Sequence, residues 1–161
     1  MARGVGARLT ILTRFSDELS VPLSVRILVA AGDPTTRMFI EGILSNLGFA
    51  QVTFVDNGQR AWSEIVNGEP GKKFDLVVCD WEVPELSGIE LLRKIRAYGP
   101  THLLPFTLLT WQKTRQQVVE AISAGVTNYI AKPFTPETFA TKVNEALSPA
   151  TVLKIAVKGQ R

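Results

Sequence analysis

The sequence predicts an α/β fold: a doubly wound (βα)5 sandwich with a parallel five-stranded sheet between two layers of helices. Two observations carry this. Short apolar runs alternate with longer amphipathic stretches in βα order, the pattern of a parallel sheet covered on both faces. The length of 161 residues suits one domain with one core, since a chain near 150 residues hides roughly 70% of its unfolded surface.

Strands are expected at Val25–Ala30, Gln51–Val55, Asp75–Asp80, Phe106–Thr110 and Asn128–Ala131. Asp33-Pro34-Thr35 opens the first helix, with Asp33 able to cap free amides and Pro34 at the first helical position. Phe39, Ile43, Leu44 and Leu47 give that helix its apolar stripe, and Gly48 stops it. The second helix follows Gly58 (Ala61, Trp62, Ile65, Val66) and the third follows Pro84 (Ile89, Leu91, Leu92, Ile95). The fourth follows Thr114 (Val118, Val119, Ile122), and the last follows Pro136 (Phe139, Val143, Leu147).

The chain divides into a leader over residues 1–24, a periodic body over 25–148 and a tail over 149–161. The formal net charge of +3 is unevenly placed: the body carries −1, the leader +1 and the tail +3. A nearly neutral body argues against nucleic acid, which asks for basic residues clustered on one folded face. The leader holds Arg3, Arg8 and Arg14 but lacks the apolar stretch and cleavage site of a targeting signal, and is expected to be a flexible extension. The tail, with Lys154, Lys158 and Arg161 between apolar residues, alternates too loosely to predict a strand. Its apolar side chains can dock on the body or a partner, or remain solvated. No apolar run is long enough to span a bilayer. The single cysteine, Cys79, lies in an apolar run and is expected in the core, which fits a reducing cytoplasm.

In an open parallel sheet, ligands bind outside the carboxyl ends of the strands, at the switch in strand order. The polar residues at those ends are Gly32-Asp33, Asp80, Thr110 and Lys132-Pro133. A carboxylate, a hydroxyl and an ammonium meeting in one crevice can take up a phosphoryl group: the carboxylate attacks, and the other two hold the new phosphate oxygens. Two stretches add specificity: Asp80-Trp81-Glu82-Val83-Pro84-Glu85-Leu86-Ser87-Gly88-Ile89-Glu90-Leu91-Leu92, and Ala131-Lys132-Pro133-Phe134-Thr135. With them the body resembles the CheY-like receiver domains of two-component response regulators, over about three-quarters of the chain. The resemblance implies a flavodoxin-like sheet with strand order 2-1-3-4-5. It makes Asp80 the phosphoacceptor, Thr110 the switch hydroxyl, Lys132 the phosphate-contacting lysine and Tyr129 the aromatic whose rotamer reports activation. It implies Mg²⁺ as cofactor, and a histidine kinase or phosphotransfer protein as donor. Pro133 follows a bond that tolerates cis.

Two departures stand out. The family ends its first strand with an acidic pair that holds Mg²⁺, and counting back from Arg37 puts that pair at Ala31 and Gly32. Neither side chain can ligate a hard cation that demands octahedral oxygen donors, on which phosphoryl transfer depends. What is left is Asp80, the main-chain carbonyl of Glu82 and two substitutes. Asp33 sits one residue late, with helix capping as its competing role. The Glu82 side chain can either lend a carboxylate or bind Lys132. The second departure is Trp111 after the switch hydroxyl, where the family keeps a small residue for phosphoryl access. It either roofs the site or swings out as a contact residue.

Two function classes follow. One is a signalling receiver that accepts phosphate on Asp80 weakly; the other is a pseudo-receiver, a phosphorylation-independent binding module. Both are non-enzymatic and act by protein contact through the fourth helix, fifth strand and fifth helix, and both admit a homodimer through that face. Asp80-Trp81-Glu82 also matches the carboxylate pair of aspartyl-phosphate phosphatases, but the later acidic pair such enzymes need is missing, with only Glu120 between Thr110 and Asn128. Nucleotide binding wants a glycine-rich loop after the first strand, and Ala31–Thr35 has one glycine. His102, the one histidine, supports no nucleophilic triad.

Overall fold

The computed structural model describes residues 23–148 apart from 70, 112 and 113. The expectations for the leader before Leu23 and for the tail over 149–161 lie outside the described residues. Five strands, β1 (Arg26–Ala30), β2 (Gln51–Val55), β3 (Leu76–Asp80), β4 (Phe106–Thr110) and β5 (Asn128–Ala131), form one sheet in the order β2-β1-β3-β4-β5. All pairs are parallel. The helices between and after them are α1 (Pro34–Asn46), α2 (Gly58–Val66), α3 (Gly88–Ala97), α4 (Arg115–Ala124) and α5 (Pro136–Leu147).

The pleat of the sheet sorts the core into two layers. Leu28, Ala30, Val77, Cys79, Phe106 and Leu108 face α2, α3 and α4. Ile27, Val29, Leu76, Val78 and Leu109 face α1 and α5, where Ile40, Leu44, Phe139 and Val143 meet them. Every residue of β3 and β4 is buried, and each large apolar side chain so enclosed is worth about 1.5–3 kcal/mol. These central strands fix the register: Val77 lies beside Phe106 and Asp80 beside Leu109, while Thr110 lies beside Ala131.

The first and third strands begin one residue later than expected, at Arg26 and Leu76. Asp75 acts as a bracket between them: its carboxylate accepts the Arg26 amide at 2.9 Å and its own amide donates to the Arg26 carbonyl at 2.7 Å. The α4 stripe is corrected more substantially. Val119 and Ile122 are exposed and only Ala121 is buried, because α4 lies on the sheet by its small residue. In α1 Ile40 joins Ile43 and Leu44 as buried residues, while Phe39 is half out and meets the Phe134 ring at a tilt of 36°. A short 3-10 turn, Gly99–Thr101, was not foreseen; the His102 ring nitrogen Nδ1 lies 2.6 Å from the Gly99 carbonyl beside it.

Two glycines let the loop after β3 fold against its neighbours. A Cβ on Gly58 would stand 1.8 Å from the Leu86 carbonyl oxygen, and one on Gly88 would stand 2.4 Å from that of Asp80. Only glycine permits such backbone approach. The same loop enters α3 through a capping box, in which Ser87 and Glu90 each bond the other's amide.

Candidate functional site

Four strand ends converge on a cleft of about 190 Å³. Gly32, Asp33, Asp80, Glu82, Thr110, Trp111 and Lys132 all line it, so the sequence-predicted constellation is brought together. Asp80 ends β3 and Thr110 ends β4, both almost wholly buried. Lys132 is set by its backbone N–H, which donates to the Thr110 carbonyl at 2.9 Å, and precedes a cis bond to Pro133.

The Lys132 ammonium forms an ion pair with the Asp80 carboxylate, their side chains only 12% and 7% exposed. Burial pushes the Asp80 carboxyl above its ordinary value; Lys132 opposes this without cancelling it, and the charges of Asp33 and Glu82 add to the rise. Glu82 lines the same cleft, and the ion pair described for Lys132 is the one with Asp80. The neighbouring Cys79 is wholly buried, and burial pushes its thiol far up and leaves it inert.

Asp33 caps α1. Its oxygens accept the Thr35 and Thr36 amides at 3.2 Å and the Thr36 hydroxyl at 2.9 Å. The hydroxyl bond and the Thr35 amide hold its carboxyl below the usual aspartate value. Ala31 is fully buried behind the cleft. The Ala31 and Gly32 carbonyls accept one guanidinium nitrogen of Arg37, at 2.6 and 3.1 Å. Arg37 thus occupies the main-chain oxygens at the end of β1, a role the sequence signalled only as a counting landmark.

This donor set does not fit a hard divalent cation. The two positions that would carry acids have no side-chain oxygen, Asp33 is committed to its helix and Asp80 is paired with Lys132, which leaves Glu82 as the one further carboxylate lining the cleft. Among the described residues no group of three or more His, Cys, Asp or Glu side chains is placed to hold a metal ion.

Trp111 stands at the mouth, 63% exposed, with the Lys132 ammonium 5.8 Å from its ring centroid, within cation–π range. Tyr129 is turned outward, 40% exposed. Between it and Thr110 lies a cavity of about 10 Å³ bordered by Gln117, Val118 and Ala121, room for at most one water. A phenol ring enters there only if α4 gives way.

Arg96 escaped the sequence reading. Its guanidinium donates to the carbonyls of Gly125 at 2.9 Å, His102 at 3.2 Å and Leu104 at 2.6 Å, tying α3 to the end of α4 and the start of β4. Burial without a carboxylate partner lowers it to about 10. An arginine on the otherwise apolar side of α3 was the one available signal.

Comparison with known proteins agrees with this geometry. The family model for the response regulator receiver domain matches residues 27–144. A chemotaxis protein CheY homolog of Campylobacter jejuni is 33% identical over 76% of this chain and 92% of its own length. Chemotaxis protein CheY-3 of Vibrio cholerae is 36% identical over 76% and 91%. Among solved structures, Vibrio cholerae CheY4 superposes with TM-score 0.69 at 22% identity, over 76% of this chain and 98% of that one. The receiver domain of a Pseudomonas aeruginosa sensor histidine kinase, with a magnesium ion in its active-site cleft, superposes with TM-score 0.65 at 26% identity, over 75% and 94%. With a parallel sheet in this order, a buried aspartate paired to a lysine before a cis-proline, and relatives of this kind, the chain belongs to the response regulator receiver family, the CheY-type domain of two-component signalling.

Proposed function

We propose that this receiver is atypical: it signals by protein contact, with weak or no Mg²⁺-dependent phosphorylation of Asp80. The observation that carries the reading is the replacement of the metal-binding acids by Ala31 and Gly32 while Lys132 holds the Asp80 carboxylate. Without a cation to neutralise charge on the transferred oxygens, phosphoryl transfer loses its main electrostatic support. The contact surface is the face of α4, β5 and α5, where Trp111, Val119, Ile122 and Tyr129 stand exposed, the aromatic and aliphatic residue types that anchor interfaces. A homodimer through the same face belongs to this reading. The input partner is a sensor histidine kinase or phosphotransfer protein, the interaction typical of receiver domains.

A phospho-switch on Asp80 is the second reading, favoured by retention of Asp80, Thr110, Tyr129 and Lys132 around one cleft. Titration with Mg²⁺, alone and then with beryllofluoride as a phosphoryl mimic, separates the two. Trp81 and Trp111 both line the cleft, so tryptophan fluorescence reads occupancy. The atypical reading expects a flat response from folded protein. A saturable change at millimolar metal that tightens with the mimic and disappears in Asp80→Asn overturns it in favour of the switch.

A further inference from the structure

A second cleft, of about 540 Å³, opens at the opposite pole of the sheet, where the strands begin. Ile65, Phe74, Tyr98, Leu103, Leu104 and Leu147 contribute its apolar lining. These side chains are half-buried or, for Tyr98, 42% exposed. A concave apolar surface of this size is a binding surface by its chemistry, and nothing in the receiver site makes use of it.

We propose that this cleft seats the chain's own C-terminal segment, with Leu153, Ile155 and Val157 pointing into it. The first argument is where the described chain ends. Leu147, the last residue of α5, already lines the cleft. Ser148 then leaves the helix in an extended conformation, φ −71° and ψ 143°, and the proline after it keeps that backbone extended. The tail therefore starts at the lip of the cleft.

Reach and pattern supply the second argument. Residues 148–157 can span roughly 33 Å when extended, enough to cross the pole from α5 towards α2 and α3. From Leu153 to Lys158 the residues run Leu-Lys-Ile-Ala-Val-Lys, with the larger apolar side chains at every second position. An extended backbone then places Leu153, Ile155 and Val157 on one side and Lys154, Ala156 and Lys158 on the other. The apolar side meets Ile65, Phe74 and Leu104, and both lysines remain in water.

The leader is the weaker occupant. Although Val25 touches the cleft, the Leu23 carbonyl is held by the Gln51 side-chain amide at 2.7 Å. That bond fixes Leu23 beside the start of β2, an outer strand of the sheet.

Hydrogen exchange read by mass spectrometry on the full chain tests the proposal, independently of whether Asp80 takes phosphate. The double variant Leu153→Asp/Ile155→Asp is expected to speed exchange about tenfold in the segments 65–75 and 98–105, since docked protection is lost locally, while leaving β1, β3 and β4 unchanged. Lys154→Asp, on the solvent side, is expected to leave exchange as in the parent. Exchange in those segments that is the same in parent and double variant overturns the proposal, whether the cleft is then open or covered by the leader. Protection that grows as the protein is concentrated from about 2 to 200 µM overturns it also, because a second copy is then supplying the segment.

Discussion

Replacing Lys132 by methionine keeps the length of the side chain and removes its charge, leaving Asp80 in a site where its side chain is 7% exposed. Breaking one side of a buried ion pair costs about 3–5 kcal/mol, because the remaining charge is left uncompensated. The lower end applies here, since the carboxylate borders a cleft that water reaches. A loss of about 3 kcal/mol lowers the melting temperature of a domain of this size by roughly 10 °C. The deficit depends on pH with a definite sign. Without Lys132, every remaining influence on Asp80, namely burial, Asp33 and Glu82, raises its carboxyl above the ordinary 3.8. The folded state then holds the proton more tightly than the unfolded one, so stability is highest below about pH 4 and falls as pH rises towards the raised value. Urea denaturation of Lys132→Met at pH 8 and at pH 5 is expected to show the larger loss at pH 8. Asp80→Asn leaves the Lys132 ammonium without its partner and is expected to cost about 1–2 kcal/mol, less than Lys132→Met because the long side chain can turn its charged end into the water of the cleft, and the double variant Asp80→Asn/Lys132→Met should recover most of the loss. A loss under about 0.5 kcal/mol for Lys132→Met, equal at both pH values, would refute the buried pair.

Three further predictions concern the frame of the site. Glu85 has φ +69° in the loop after β3, so Glu85→Gly should raise the urea midpoint by about 0.5–1 kcal/mol equivalent, and Glu85→Val should lower it. Gly58→Ala drives a methyl into the Leu86 carbonyl and is expected to cost more than about 3 kcal/mol or prevent folding, read from soluble yield and circular dichroism. Phe139→Ala empties a fully buried position under β4 and β5 and should cost about 3–5 kcal/mol in the same denaturation assay.

Much of the fold was legible because the central strands are short apolar runs between unambiguous caps. Asp33-Pro34 and Thr114 start their helices where the sequence placed them, whereas the helix placed after Pro84 starts only behind the Ser87 cap. The site was legible because strand ends in a parallel sheet converge by topology, so Asp80, Thr110 and Lys132 meet without being near in sequence. What could not be read were contacts made by long side chains across elements. Arg37 reaching the carbonyls of Ala31 and Gly32, and Arg96 reaching three carbonyls from α3, leave no periodic trace. The α4 face misled for a different reason. Val118, Val119 and Ile122 have the spacing of a buried stripe, yet the neighbouring Ala121 is what packs, and a hydrophobic pattern alone cannot tell a core-facing stripe from one offered to a partner.

Tied to α3 at its C-terminal end and barely embedded along its length, α4 behaves mechanically like a bar held at one end. Thr114 only caps its first turn through the Gln117 amide, whereas Arg96 of α3 holds its far end through the Gly125 carbonyl. Only one alanine between them is sunk into the domain. Rolling this bar about its long axis drags little apolar surface through water, so its orientation can be chosen by whatever binds it, at small cost to the rest of the molecule. Loosening the Arg96 support, rather than altering any residue near Asp80, is therefore the most economical way to change which surface this domain shows.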